Sequence, residues 1–220
     1  MKIFKFLQVK FIVLFEYIIS GFLVGTLVGL TGVGGGSLMT PLLVLFFKFP
    51  TAVAVGTDLL YAAITKSAGA ISHHKLGNVD WKIVKNLLFG SLPASYLVTH
   101  HLKEIDLYSL QNVEIINTSL GIALFLTSIA VLFQPIIVKK SVKQKLKTNL
   151  NISILTIILG FFLGVVVTLT SVGAGAIGVT ALLLLYPKLQ IKKIIGTDIA
   201  HAVPLTLFAG IGHFNLGTVD

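Results

Sequence analysis

A glycine-rich apolar segment occurs twice in this chain, and the duplication constrains the fold more than any single residue does. Residues 21–80 begin GFLVGTLVGLTGVGGGS and run through GTDLLYAA to HHKLGNVD. Residues 160–220 begin GFFLGVVVTLTSVGAGA and run through GTDIAHAV to HFNLGTVD. Gly21, Gly25, Thr31, Gly34 and Gly36 recur 139 positions later as Gly160, Gly164, Thr170, Gly173 and Gly175. After one inserted residue, Gly56-Thr57-Asp58 returns as Gly196-Thr197-Asp198, and His73, Gly77 and Asp80 return as His213, Gly217 and Asp220. Duplicated halves with interrupted apolar segments at matching positions are the sequence sign of a secondary transporter.

Composition places the chain in a bilayer. It is 55% hydrophobic and only 11% charged, where a soluble domain carries about 25% charged residues. Apolar stretches recur at 11–31, 36–47, 51–72, 86–99, 115–138, 152–170, 175–187 and 194–212. About 20 apolar residues cross the bilayer core as a helix; several stretches qualify alone, while 36–47 and 175–187 are short. The expectation is an all-α polytopic membrane protein made of two homologous repeats with glycine-broken helices. Every basic residue is Lys, so the net charge of +9 is no nucleic-acid signature. The dense run at 139–147 (KKSVKQKLK) reads as a cytoplasmic loop under the positive-inside rule. No cysteine is present, which excludes disulfides and thiol chemistry.

The boundaries follow: a first transmembrane repeat at 11–138, a basic inter-repeat loop at 139–151, and a second, incomplete repeat at 152–220. Each repeat is expected to hold a first helix, a glycine break, a short helix, and a third helix opening at the Gly-Thr-Asp triplet. The first repeat continues with helices near 83–102 and 113–136. Asp220 aligns with Asp80, so the expectation is a longer protein represented incompletely here, a shortened or non-functional permease being the alternative. Orientation stays open. If each broken pair crosses once, the repeats are parallel; if it crosses twice, they are inverted. With Lys66 taken as intramembrane, the other lysines divide 11 to 5 across the membrane under both schemes.

The breaks are the candidate site. In hydrocarbon an unpaired backbone group costs several kcal/mol, so a break must face protein or a water-filled cavity. A helix starting just after a break turns its N-terminal amides, with roughly half a positive charge, toward the gap. Amides of Gly34, Gly35, Gly36, Gly173 and Gly175, with hydroxyls from Thr31, Ser37 and Thr170, are the expected anion-binding set. Thr57, Asp58, Thr197 and Asp198 read either as helix caps or as coupling residues, since an acid inside a membrane is a functional candidate. Lys66 reads first as snorkelling to the interface, with an acid or an anionic substrate as its alternative partner. Gly21, Gly25, Gly160 and Gly164 read as small residues for close helix packing. Gly173-Ala-Gly-Ala-Ile-Gly178 matches a dinucleotide fingerprint with Asp198 twenty residues on, but a membrane-length segment precedes it where a short strand should stand. His201 reads as a buried structural histidine. No metal site, cofactor or catalytic constellation is expected.

The TGVGGGS-x-x-x-Pro41 segment, the Gly-Thr-Asp that follows, and their repetition resemble the sulfite exporter TauE/SafE family of bacterial membrane permeases. The resemblance covers about residues 15–220. It implies transport of small sulfur-containing anions such as sulfite or a sulfonate, a multi-pass location in the bacterial inner membrane, and about eight spans in the full-length protein, so that this chain lacks the final helix pair. The expected partners are thus a small anionic substrate and the lipid bilayer, with homo-oligomerisation left open. The sequence departs from the family pattern where Thr180 stands in place of the second proline. A cation-coupled carrier or channel using Asp58 and Asp198 is the other transport reading.

Overall fold

The computed structural model describes residues 15–27, 36–107, 109–141 and 151–220, which are helical with no strand among them. The helices are α1 (Phe15–Leu27), α2 (Gly36–Leu45), α3 (Thr51–Lys75), α4 (Trp81–Glu104), α5 (Leu110–Ser141), α6 (Ile152–Thr170), α7 (Ala176–Leu185) and α8 (Ile191–Asn215). Among the described residues, three stretches are long and apolar enough to cross a membrane: Leu110–Ile136, Ile152–Thr170 and Ile191–Asn215. At 25 and 24 residues, α3 and α4 have the length to span, roughly 36 Å at 1.5 Å per residue, but carry more polar groups. Large apolar side chains face outward, among them Phe22, Phe89 and Leu132, each more than 70% exposed. Lipid is the surrounding that makes such a surface stable.

Local chemistry sets the helix ends. Asp80 caps α4 by accepting from the Lys82 and Ile83 amides at 3.1 and 3.4 Å. Asn151 caps α6 by accepting from Ser153 at 3.0 Å. Neither Gly-Thr-Asp triplet opens a helix, which corrects the cap reading of Thr57, Asp58, Thr197 and Asp198. The helix α3 starts five residues earlier, after Pro50 with φ −55°, and α8 starts after Gln190. Proline fixes the entry angle and needs no amide partner at a helix start, and the Thr51, Ala52, Ala54 and Val55 that follow are buried. The glycines serve contact rather than chain reversal. A Cβ on Gly56 would run into the Thr218 carbonyl, and one on Gly196 into the Asn78 carbonyl.

These contacts show that α3 and α8 run antiparallel through the centre. Gly56 meets Thr218 near one end, Gly210 meets Leu60, Gly69 meets Ile199, and Gly196 meets Asn78 near the other. Two reciprocal bonds close the pair: the Asp80 amide donates to Thr197 Oγ1 at 2.9 Å, and the Asp220 amide donates to Thr57 Oγ1 at 3.0 Å. Val55 and Leu59 of α3, Ala202, Leu205 and Ala209 of α8, and Val167 and Ala174 form the core between them.

Each short helix folds back beside the helix before it. Tyr186, just past α7, meets Thr156 near the start of α6, with hydroxyls 2.6 Å apart. Leu163 of α6 packs with Val179, Leu182 and Leu183 of α7. Tyr17 of α1 likewise stacks on Phe47, just past α2, with ring centroids 4.5 Å apart. The helices α4 and α6 lie parallel in close contact, Gly160 against the Leu87 backbone and Gly164 against that of Ser91. The packing role expected of Gly160 and Gly164 is therefore present. A Cβ on Gly21 would have nothing within 4 Å, and one on Gly25 would meet only the Tyr61 hydroxyl at 3.9 Å, so the same role does not extend to them within the described residues.

Candidate functional site

The break between α6 and α7 is built by handed backbone. Ser171 ends α6 in the left-handed region at φ 58°, its amide bonding the Val167 carbonyl at 2.7 Å. Gly173 and Gly175 follow at φ 118° and 124°, a region essentially closed to other residues. The chain thereby reverses, and α7 starts at Ala176 in the interior of the fold.

Two buried carboxylates stand at this level. Asp58 of α3 accepts a 2.7 Å hydrogen bond from Thr40 of α2 through Oδ2, both side chains being fully buried. The Ser171 side chain lies against the same carboxylate. Asp198 of α8 faces the Gly175 amide, and its Oδ1 presses so closely on Gly178 that a Cβ there would collide with it. The last glycine of the dinucleotide-like motif thus admits a carboxylate of the protein itself. Among the described residues, Oδ1 of Asp58 and Oδ1 of Asp198 are buried without a close hydrogen-bond partner. A buried polar atom left unpaired costs about 1–3 kcal/mol, so two carboxylate oxygens left open at one level mark a place built for something other than stability.

Lys66 completes the group. It does not snorkel: its ammonium turns inward and donates to the Ala174 carbonyl in the break at 3.1 Å. From there it acts electrostatically on Asp198 and on Asp58. The cause is the open carbonyl of an unwound backbone, which with two acids offers a cation more than the interface does. His201, one turn beyond Asp198, is fully buried with Nε2 2.9 Å from Ser91 Oγ. The structural reading of this histidine fits that bond, and its Nδ1 has no partner among the described residues.

The expected binding residues divide. Thr31, Gly34 and Gly35 lie outside the described residues. Gly36 is the first residue of α2, and its Cα sits so close to the Ser171 carbonyl that no side chain fits. The start of α2 therefore meets the second break directly. Ser37 follows, half-buried. Gly173 and Gly175 form the turn. The Thr170 hydroxyl donates to the Val166 carbonyl at 2.7 Å and accepts from the Val172 amide at 3.1 Å, which closes the end of α6. Thr57 and Thr197 hold the chain after the partner helix and stand apart from the break. Sequence reasoning misses Thr40 and Ser171. Thr40 is one hydroxyl in an apolar ten-residue helix, and Ser171 matches a glycine in the first copy.

The family described as Sulfite exporter TauE/SafE matches residues 17–220. Among curated proteins, the probable membrane transporter protein YjnA of Bacillus subtilis is 40% identical over 210 residues, spanning 92% of this chain and 80% of that protein. The probable membrane transporter protein YdhB of the same organism is 29% identical over 199 residues, spanning 90% and 78%. The probable membrane transporter protein MJ0441 of Methanocaldococcus jannaschii is 38% identical over 96 residues, spanning 41% and 36%. No solved structure matches.

Proposed function

This chain belongs to the sulfite exporter TauE/SafE family of membrane transporters, and from that premise we propose that it is a multi-pass permease for a small anion. Sulfite, a sulfonate or a related sulfur-containing anion is the substrate class. The anion is held between the breaks at 31–37 and 170–176 by the amides of Gly34, Gly35, Gly36, Gly173 and Gly175 with the hydroxyl of Ser37. The observation that carries this reading is the meeting of both hairpins at one buried level: Gly36 abuts Ser171, beside Asp58, Lys66 and Asp198. Half-helix N-termini and unwound backbone at mid-membrane are how transporters of several folds hold ions and substrates.

The two halves are related by inversion in this proposal. Supporting it, α3 and α8 carry the matching triplets yet run antiparallel, and Thr57–Asp220 mirrors Thr197–Asp80. Tyr17–Phe47 and Thr156–Tyr186 also sit at the 139-residue offset of the repeat. Each hairpin then returns to the side it entered from, and rocking of one half against the other gives alternating access. With the halves inverted, the 11-to-5 division of the lysines puts the N-terminus on the outer side of the membrane.

Uptake of radiolabelled sulfite and sulfonates by vesicles containing the full chain tests the reading. Gly35→Leu is expected to abolish flux while the protein stays folded; undiminished flux would remove the breaks from the site. A second reading, a cation-coupled carrier, is favoured by the open Oδ1 atoms of Asp58 and Asp198. It requires Asp58→Asn to abolish cation dependence.

A further inference from the structure

The candidate anion site holds more negative charge than positive. Two carboxylates, Asp58 and Asp198, share one ammonium, Lys66, which leaves a net charge of −1 when all three are ionised. His201 is also in electrostatic reach of Lys66, and Tyr61 stands between Asp58 and Lys66 on α3 with its hydroxyl toward Gly25. The elements packed around them add no charge: α2, α6 and α7 contain no titratable residue, α4 contributes Ser91, and α5 contributes Leu120 and Ala123 against Val172. His73 lies further along α3, beside Gly196. A substrate anion entering this site unaided would add to a surplus of its own sign where water screens little.

Two contacts show how the surplus can be relieved. The Lys66 ammonium has three donors, and among the described residues it donates to the Ala174 carbonyl, inside the break. It closes no salt bridge among the described residues and stands within electrostatic reach of both acids. Asp198 meanwhile occupies the place a substrate anion would take: it faces the Gly175 amide at the start of α7, tight against Gly178. A carboxylate and a substrate anion cannot both hold that helix end while both are charged.

We propose that Lys66 is a substrate-binding residue that leaves the Ala174 carbonyl and Asp198 for the incoming anion, and that Asp198 takes up one proton in the same step. The inference rests on the anion-permease reading above. The proton comes from the aqueous phase and forms one O–H bond on the Asp198 carboxyl; no other covalent bond changes. A carboxylate buried without its counter-charge is neutralised in this way rather than held ionised. The charge balance then closes: the empty site carries −1, and the site with one proton and one monovalent anion also carries −1. Anion and proton enter together, and each strengthens binding of the other by the same factor.

The test uses the full chain, purified and in vesicles, with methanesulfonate as the probe because it stays a monovalent anion across the working pH range. Wild type is expected to take up about one proton per anion bound, so that affinity falls up to about tenfold per unit rise in pH. Asp198→Asn mimics the protonated acid, and anion binding should lose both its pH dependence and its proton uptake. Lys66→Met should weaken methanesulfonate binding at least about tenfold, with Lys66→Arg recovering most of it. If Lys66→Met fails to fold, the paired variant Lys66→Met/Asp198→Asn removes both charges together, and weak binding without proton uptake is expected of it. Wild-type affinity in either Lys66→Met variant overturns the proposal, as does anion binding by wild type without proton uptake. A wild type that neither binds nor carries methanesulfonate or sulfite defeats the anion-permease reading itself, and this inference with it.

Discussion

Among the described residues, the hairpin of α6 and α7 is enclosed where that of α1 and α2 is open. On α6, Gly160 and Gly164 let the backbone of α4 approach so closely that a Cβ at either position would strike it. On α1, Gly21 and Gly25 occupy the matching positions of the repeat and meet almost nothing among the described residues. A cleft of about 560 Å³ opens at the foot of the same hairpin, lined by Tyr17, Phe47, Pro50, Val53 and Asp220. The contrast teaches what a wall supplies: α4, which follows α3, closes one face of α6 by backbone contact. The hairpins also meet their acids differently. Helix α2 gives Asp58 a hydroxyl from Thr40, whereas α7 gives Asp198 bare space at Gly178 and an amide at Gly175.

Substitutions sharpen or break this contrast. Gly164→Leu should have the largest effect, since its side chain must displace the Ser91 backbone and the Ala94 methyl group 2.9 Å away. A loss of about 3 kcal/mol or more is expected, read as a collapse of the thermal unfolding midpoint in detergent. Gly21→Leu should shift that midpoint by no more than about 0.5 kcal/mol would; equal losses at both positions would break the comparison. Thr40→Val removes the donor from Asp58 Oδ2 and should cost about 1–3 kcal/mol, measured by the same unfolding transition. Ser91→Ala frees His201 Nε2 and should cost about 1 kcal/mol, with a changed imidazole signal by NMR as the specific readout. Thr57→Val should be smallest, within about 0.5 kcal/mol, because the Asp220 amide it holds belongs to an exposed residue that water can satisfy.

Much of the fold was legible in the glycines. The run around Gly173 and Gly175 announced a break, and the short apolar stretch after it announced a short helix, because few other residues permit such backbone and ten residues cannot span a bilayer. The opposed directions of α3 and α8 were not legible. Sequence similarity pairs Gly56 with Gly196 but carries no information on the direction in which the two helices run, and the lysines divide identically under both schemes. The Gly-Thr-Asp triplets misled because a glycine ahead of a capping-type residue looks like a helix start, whereas Gly56 and Gly196 are there to bring two backbones together. The direction of Lys66 depends on the Ala174 carbonyl, 108 positions away, which no local pattern reveals. Ser171 was hidden by its own variability between the copies, since glycine stands at the corresponding position of the first.

The natural absence of cysteine allows the central claim to be tested at one atom. Ser171→Cys places a single thiol in the break beside Asp58, and its rate of alkylation by N-ethylmaleimide can be followed in vesicles that carry the full chain. Binding of a small anion between the breaks predicts that methanesulfonate slows this alkylation in a saturable way, while an uncharged molecule of the same size does not. An alkylation rate indifferent to the anion, in vesicles that nevertheless transport it, would contradict the placement of the site.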